Sequence, residues 1–319
     1  MDAFKGYIGL TDPDWYSFLN AQSHIDEVNF WQPHGNRAFR ALNPGDLFFF
    51  KLRAPQKAIA GFGFFERYES LPAWLAWDCF KEMNGAPDFE SMIDRICRLR
   101  GDGNQSNMSG DFLIGCIMIS APIFFNENEW VAPPSDWAKT GIQQGKTYDL
   151  QLGEGRRVFL ECLEKAKDGT HYWNVEPEDK ISENVIPRYG NSISVRPRLG
   201  QGLFSIEVRN AYNGACAVTN EHSLPVLEAA HIRPYARGGA HRIDNGLLLR
   251  RDLHSLYDRG YVTITPDYVF RVGDSLRNEF KNGRSYYGLN GSSINIPSNI
   301  IWHPNKELLD WHVQSVFKG

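Results

Sequence analysis

LEAAHIRPYARGGAHRIDNGLLLRRDLHSLYDRGYVTI, Leu227 to Ile264, sets three chemically distinct pieces in a row. Leu227 to Ile232 is a short apolar segment ending on His231 and Ile232, and Pro234 with Gly238-Gly239 supply a turn that returns the chain as a second short strand. The result is a hairpin with a histidine inside it. Asp244-Asn245-Gly246 then makes a tight turn into LLLRRDLHSLYD, where His254 and Asp258 stand four residues apart and share one helical face. An imidazole and a carboxylate so placed can grip one divalent cation. Hydrolysis of a phosphodiester needs such a cation and a base to activate water, and His231 is the candidate base.

Each piece also has a plainer explanation. A lone histidine on an apolar strand is more often a satisfied core residue, Asn before Gly is usually a turn residue, and His254 with Asp258 reads equally as an ordinary helix pair. The order and spacing of all three, with a Gly-Gly turn between them, favour the hydrolytic site.

The ordered set resembles the HNH, or ββα-metal, nuclease family, especially the branch that starts A-A-H-I and continues N-G-L-x-L … D-L-H-x-L-[FY]-D. That resemblance implies that His231 is the general base, that Asn245 fixes the loop orienting it, and that His254 and Asp258 hold the catalytic metal. It also implies attack by water that leaves a 5′-phosphate and a 3′-hydroxyl. Many members carry Asp or His as a ligand just before the base, where this chain has Ala230. Either His254 and Asp258 suffice with water and phosphate oxygens, or Glu228 contributes from the same strand face if no bulge intervenes. Cys216-Ala217-Val218-Thr219 resembles the branch's leading strand, although core packing and turn formation also explain those residues. One imidazole and one carboxylate open to water suit Mg²⁺ or Mn²⁺, other divalent metals staying open, whereas zinc wants more nitrogen or sulfur.

A formal net charge of -4 is no global sign of nucleic-acid binding, yet Arg188 to Arg259 holds ten Arg, no Lys and six acids. Arginine without lysine favours bidentate phosphate contact, and Arg209, Arg233, Arg237, Arg250 and Arg251 flank the site as candidate DNA contacts. Pairing with the nearby acids is the equal alternative. His241 reads either as a phosphate contact or as part of the turn.

Upstream, YIGL from Tyr7, LFFFKL from Leu47, IAGFGFF from Ile59 and IGCIMIS from Ile114 read as strands. Helical patterns run from Asp14 to Ala21, after Thr11-Asp12-Pro13 as a cap, and from Phe89 to Arg100. The expectation is a β-rich barrel with peripheral helices. VFLECLEKAKD from Val158 has helical spacing and reads as a connecting helix, and Gly169 to Gly202 reads as a polar, Pro- and Gly-punctuated linker. The stretches TDPDWYSFL, DEVNFWQP, FRALNPGDLFFFKL, LPAWLAWDCF and QGKTYDL resemble PUA-superfamily domains of the EVE and ASCH kind, related to SRA, that are found fused to HNH nucleases. Such a resemblance implies a reader that holds a modified base flipped from the helix in an aromatic slot. Trp31, with Asn29 and Gln32 beside it, is the first candidate for that slot, and Trp77 is another; for any single Trp, core packing is the commoner role.

A chain of 319 residues favours two domains, and 42% hydrophobic with 23% charged residues places it among globular proteins. No apolar run approaches membrane-spanning length, and MDAFKGYIGL lacks the features of a secretory signal, so a cytoplasmic location is expected. Cys79, Cys97, Cys116, Cys162 and Cys216 are scattered and form no C-x-x-C pair, which points to buried free thiols. The composite expectation is an α+β chain. It has a PUA-like reader over 1–150, a linker with one helix over 151–195, and an HNH domain over 196–319. The resemblance implies a type IV-like restriction endonuclease for double-stranded DNA carrying 5-methylcytosine or 5-hydroxymethylcytosine. Cutting both strands implies a homodimer, with the linker helix and the segment after Gly260 as candidate contacts. The rivals are an unselective or nicking nuclease whose first domain binds RNA or protein, and an inactive DNA-binding module.

Overall fold

LFFFKL is buried at every position, which is what a strand with neighbours on both edges and cover on both faces requires. A computed structural model describes residues 4–101, 109–138, 141–142, 144–168, 185–186, 193–194, 200–281 and 283–319. It divides into two units, Met1–Arg198 and Leu199–Gly319. Together they make an α+β chain. Among the described residues no helix is long and apolar enough to cross a membrane.

In the first unit β1 (Lys5–Thr11), β2 (Glu27–Gln32), β3 (Leu47–Leu52), β4 (Ile59–Pro72), β5 (Leu113–Phe124) and β6 (Gly145–Asp149) form one sheet. Its order is β2-β5-β4-β3-β1-β6, and LFFFKL is thus an interior strand. β1 and β3 run parallel, and the other described pairs are antiparallel. At one end the Gln32 amide donates to Gln144 Oε1 at 3.3 Å, joining the last residue of one edge strand to the residue before the other. The sheet therefore curls toward a barrel.

Alternation along β3 separates two aromatic layers. Phe48 and Phe50 pack with Tyr7, Trp15, Phe30 and Phe124. Leu47 and Phe49 face Phe62, Tyr148 and Leu150. Helices α1 (Pro13–Asn20), α2 (Ala73–Phe80) and α3 (Phe89–Arg100) surround the sheet. Asp12 caps α1 by accepting from the Asp14 and Trp15 amides, as Thr11-Asp12-Pro13 foretold. α2 has no side-chain cap and starts directly after Pro72, so its sequence carried no start signal.

The helix expected as a connector, α4 (Gly153–Asp168), belongs instead to the first unit's core. Val158, Phe159, Cys162 and Ala166 are buried beside Phe49 and Tyr148. Its apolar stripe needs that partner to leave water. The expected linker lies largely outside the described residues, apart from a short antiparallel pair, β7 (Val185–Ile186) with β8 (Ile193–Ser194).

The second unit starts with α5 (Gln201–Ala211) and continues with β9 (Leu227–His231), β10 (Gly246–Arg250) and α6 (Arg251–Asp258). β11 (Val262–Ile264), β12 (Phe270–Val272), α7 (Asp274–Phe280), α8 (Arg284–Tyr287) and α9 (Lys306–Ser315) complete it. The hairpin exists, but its return strand starts at Gly246, so Gly238-Gly239 lies within the connection rather than at its end. Leu247, Leu248 and Leu249 are strand, and the helix starts at Arg251. Three consecutive leucines cannot share one helical face, whereas a strand covered on both sides buries them all. α5 and α6 both pack on this hairpin. All five cysteines are buried and free, as their spacing led one to expect.

Candidate active site

The antiparallel register sets His231 opposite Gly246 and Ala230 opposite Leu247, so residues separated by a long connection become neighbours. Asn245 then ties that connection down. Its Oδ1 accepts from the Arg233 amide at 2.9 Å, and its Nδ2 donates to the carbonyls of Arg233 at 3.0 Å and Ala240 at 2.8 Å. Asn245 is 1% exposed, so these bonds satisfy its own amide oxygen and nitrogen, which are hidden from water. Two glycines permit the approach. A Cβ on Gly239 would lie 1.8 Å from the Arg233 oxygen, and one on Gly246 would lie 2.3 Å from Val208 of α5.

His231 lies flat against Phe204 of α5, with ring centroids 3.9 Å apart and planes 9° apart. Its Nε2 meets His241 Nδ1 at 3.0 Å. Burial, and then the nearby charges of His241 and His254, push its pKa down to about 4. It is therefore neutral near pH 7 and able to accept a proton. Nothing in the sequence of α5 marks Phe204 as part of a site.

On α6, His254 is held at both ring nitrogens. Nδ1 meets Glu228 Oε2 at 2.8 Å, and Nε2 faces Asp258 Oδ2 at 3.3 Å. Glu228 thus belongs to the site, reached from β9 across to the helix. Burial raises the Asp258 pKa, with His254 and Arg259 opposing and Glu228 adding to the rise. Ala230 is fully buried among apolar neighbours, which explains why no ligand stands at that position. Because the two carboxylates take opposite ring nitrogens, they do not converge. Among the described residues no three of His, Cys, Asp and Glu form a group that could hold a metal.

The candidate DNA-binding arginines divide. Arg209 turns inward: Nη2 donates to the Leu227 carbonyl at 2.6 Å, while Nε and Nη1 are buried without a hydrogen-bond partner. Its role is to brace β9 rather than to meet a backbone phosphate. Arg250 pairs with Asp252 at 2.5 Å and Arg251 with Glu228 at 2.9 Å, the acid-paired alternative. Arg233 donates to the Arg237 carbonyl and lies over the Trp311 ring, and Arg237 is exposed on the same connection.

In the first unit the expected base slot is filled. Trp31 is 8% exposed and its indole N–H donates to the Asn84 carbonyl at 2.9 Å. Asn29 is fully buried and donates to Asn84 Oδ1 at 2.8 Å. Both are internal anchors, since Asn84 takes the indole N–H and the amide from inside the fold. Gln32 joins the barrel edges, and Trp77, half-buried, packs near Phe89.

A second buried histidine supports α6 from the chain's end. His312 of α9 meets Thr263 Oγ1 at 2.8 Å and the Tyr257 carbonyl at 3.1 Å, and stacks on the Tyr257 ring at 3.7 Å. Since Tyr257 precedes Asp258, α9 steadies the last turn of α6.

A half-buried histidine closing β9 and a His–Asp pair on the helix that follows the hairpin form a ββα arrangement. In agreement, residues 216–265 match the HNH endonuclease family, and the second unit carries an HNH endonuclease domain. The chain is a nuclease. No curated protein sequence matches it. Among solved structures, a mutant ZmASCH protein from Zymomonas mobilis aligns at 11% identity over 48% of this chain and 96% of that one, with a TM-score of 0.29. A modification-dependent TagI restriction endonuclease aligns at 12% identity over 98% of this chain and 81% of that one, with a TM-score of 0.31. Neither likeness is close enough to carry a conclusion.

His312 supplies a pH test. Burial pushes its pKa down to about 4, so the unfolded chain, with an ordinary value near 6.5, binds the proton first. The stabilisation is complete above pH 6.5 and is lost as pH falls toward 4, by up to about 3 kcal/mol. Urea titrations between pH 7 and 4 should show this decline, and His312→Gln should make it shallower. An identical slope in the variant would contradict the buried neutral state.

Proposed function

We propose that the chain is a modification-dependent, type IV-like restriction endonuclease cutting double-stranded DNA, with His231 as base, Asn245 as the brace of its loop, and His254 with Asp258 as metal ligands. The observation that carries the hydrolytic part is the chain Glu228–His254–Asp258 lying beside a neutral His231. Two ligands of one cation, bound at about 2.1 Å each, stand close to 3 Å apart. The 3.3 Å between His254 Nε2 and Asp258 Oδ2 fits that requirement. Glu228 accepts the Nδ1 proton of His254, which leaves the Nε2 lone pair directed to the Asp258 side.

When bound there, a divalent cation would neutralise the phosphate and the departing oxygen, and an oxygen-rich remainder suits Mg²⁺ or Mn²⁺. His231 takes the proton of the attacking water. Arg233 and Arg237 are the proposed backbone contacts, with Arg250 and Arg251 entering if substrate displaces their carboxylate partners.

Selectivity is assigned to the first unit, which would bind 5-methylcytosine or 5-hydroxymethylcytosine by base flipping. The PUA-like motifs support this, but the pocket must use groups other than Trp31 and Asn29. That burial favours a second reading, an unselective or nicking nuclease. Cleavage of both strands calls for a homodimer, and Ile300 at 76% and Ile301 at 72% exposure support a self-association surface in the segment after Gly260.

Three measurements test these statements. Modified plasmid should be cut in preference to unmodified plasmid with Mg²⁺ or Mn²⁺, and His231→Ala should lower cutting by roughly 10²- to 10⁴-fold. Equal cutting of both plasmids removes the reader, and a wild type as inert as the variant removes the enzyme. Glu228→Ala should weaken Mn²⁺ binding by roughly 10- to 100-fold in calorimetry; unchanged affinity would exclude Glu228 from the metal site. Sedimentation should give twice the chain mass at micromolar concentration, and a strict monomer would sink the paired-site model.

A further inference from the structure

His241 stands outside the ordered residues that mark the nuclease, yet its ring makes the one described hydrogen bond to the His231 side chain. The two imidazoles meet edge to face, with centroids 4.9 Å apart and planes 63° apart. Each is clamped separately. Phe204 covers His231 in a near-parallel stack, and Tyr235 covers His241 with planes 10° apart and centroids 5.0 Å apart. The backbone before His241 is also fixed, since Asn245 Nδ2 donates to the Ala240 carbonyl at 2.8 Å. The loop brace therefore positions two histidines.

A neutral imidazole carries a single N–H, so the bond between these rings decides which nitrogen of His231 retains a lone pair. If His231 donates from Nε2 to His241 Nδ1, its own Nδ1 is unprotonated and able to take a proton. In the reverse arrangement His241 donates, His231 carries its hydrogen on Nδ1, and it is no base. We infer that His241 is the positioning residue of the hydrolytic reaction, accepting from His231 Nε2–H and thereby keeping the His231 Nδ1 lone pair available to water. This rests on the nuclease reading of the site.

The proton balance is simple. A water O–H bond breaks, its proton goes to His231 Nδ1, and its oxygen bonds to phosphorus as the phosphodiester P–O bond to the leaving group breaks. The leaving oxygen then takes a proton from solvent. His231 becomes an imidazolium whose Nε2–H still points at His241 Nδ1. A hydrogen bond from a charged donor is stronger than one from a neutral donor, so the contact strengthens as the charge develops. It is thus worth more in the transition state than before it.

Two variants separate this role from a phosphate contact or a turn residue. His241→Asn places an acceptor near the Nδ1 position, and His241→Phe keeps a ring against Tyr235 but removes the bond. Long-range ¹H–¹⁵N spectra of histidine-labelled protein read the tautomer directly, and cleavage of duplex DNA gives kcat and KM. The expected result is His231 protonated on Nε2 in the wild type and in His241→Asn. His241→Phe should lose that single tautomer and lower kcat by roughly 10- to 100-fold at unchanged KM, with His241→Asn recovering most of the rate. An Nδ1–H tautomer in the wild type overturns the inference. So does a His241→Phe protein that cuts at the wild-type rate, or an equal KM defect in both variants. If the wild type cuts no DNA, the nuclease reading fails, and the spectra still decide the pairing: Nε2–H supports it and Nδ1–H overturns it.

Discussion

Three hydrogen bonds of the Asn245 side chain, one accepted and two donated, hold the second unit's site together. They tie residues 233 and 240 to the foot of β10. The Asn245 amide, 1% exposed, would otherwise be left unpaired inside the fold, a cost of about 1–3 kcal/mol for each polar group. Asn245 thus links the two ends of the connection. His231 and His241 then meet at hydrogen-bond distance, and Gly239 passes a carbonyl that no side chain would tolerate.

The remaining parts supply what the loop lacks. α5 contributes Phe204, whose stack removes water from one face of His231 and favours its neutral form. α9 contributes His312, which grips the Tyr257 carbonyl and so the turn that carries Asp258. Both helices lie outside residues 216–265, and both act by placing a buried group against the ββα element. Side chains built on rigid strand and helix, as His231, His254 and Asp258 are, hold their geometry better than groups on free loops do.

The first unit is organised by aromatic packing. Phe48 and Phe50 on one face and Phe49 on the other let a single strand serve two layers, and α4 closes the second. Trp31 and Asn29 are consumed in a network around the fully buried Asn84, which explains their residue types without any ligand. An indole N–H in such a place needs an acceptor, and the Asn84 carbonyl is one.

Local spacing alone determined the presence of the hairpin, the i,i+4 pairing of His254 with Asp258, the cap of α1 and the strand character of LFFFKL, because each depends on neighbours within a few residues. Only tertiary structure decided where the helix after Leu249 begins, that α4 is core rather than connector, and that Trp31 is hidden. It also brought Glu228, Phe204, His241 and His312 to the site. Those outcomes depend on which surfaces meet across the fold, and a side chain's burial and hydrogen-bond partner are set by the element packed against it rather than by its place in the chain.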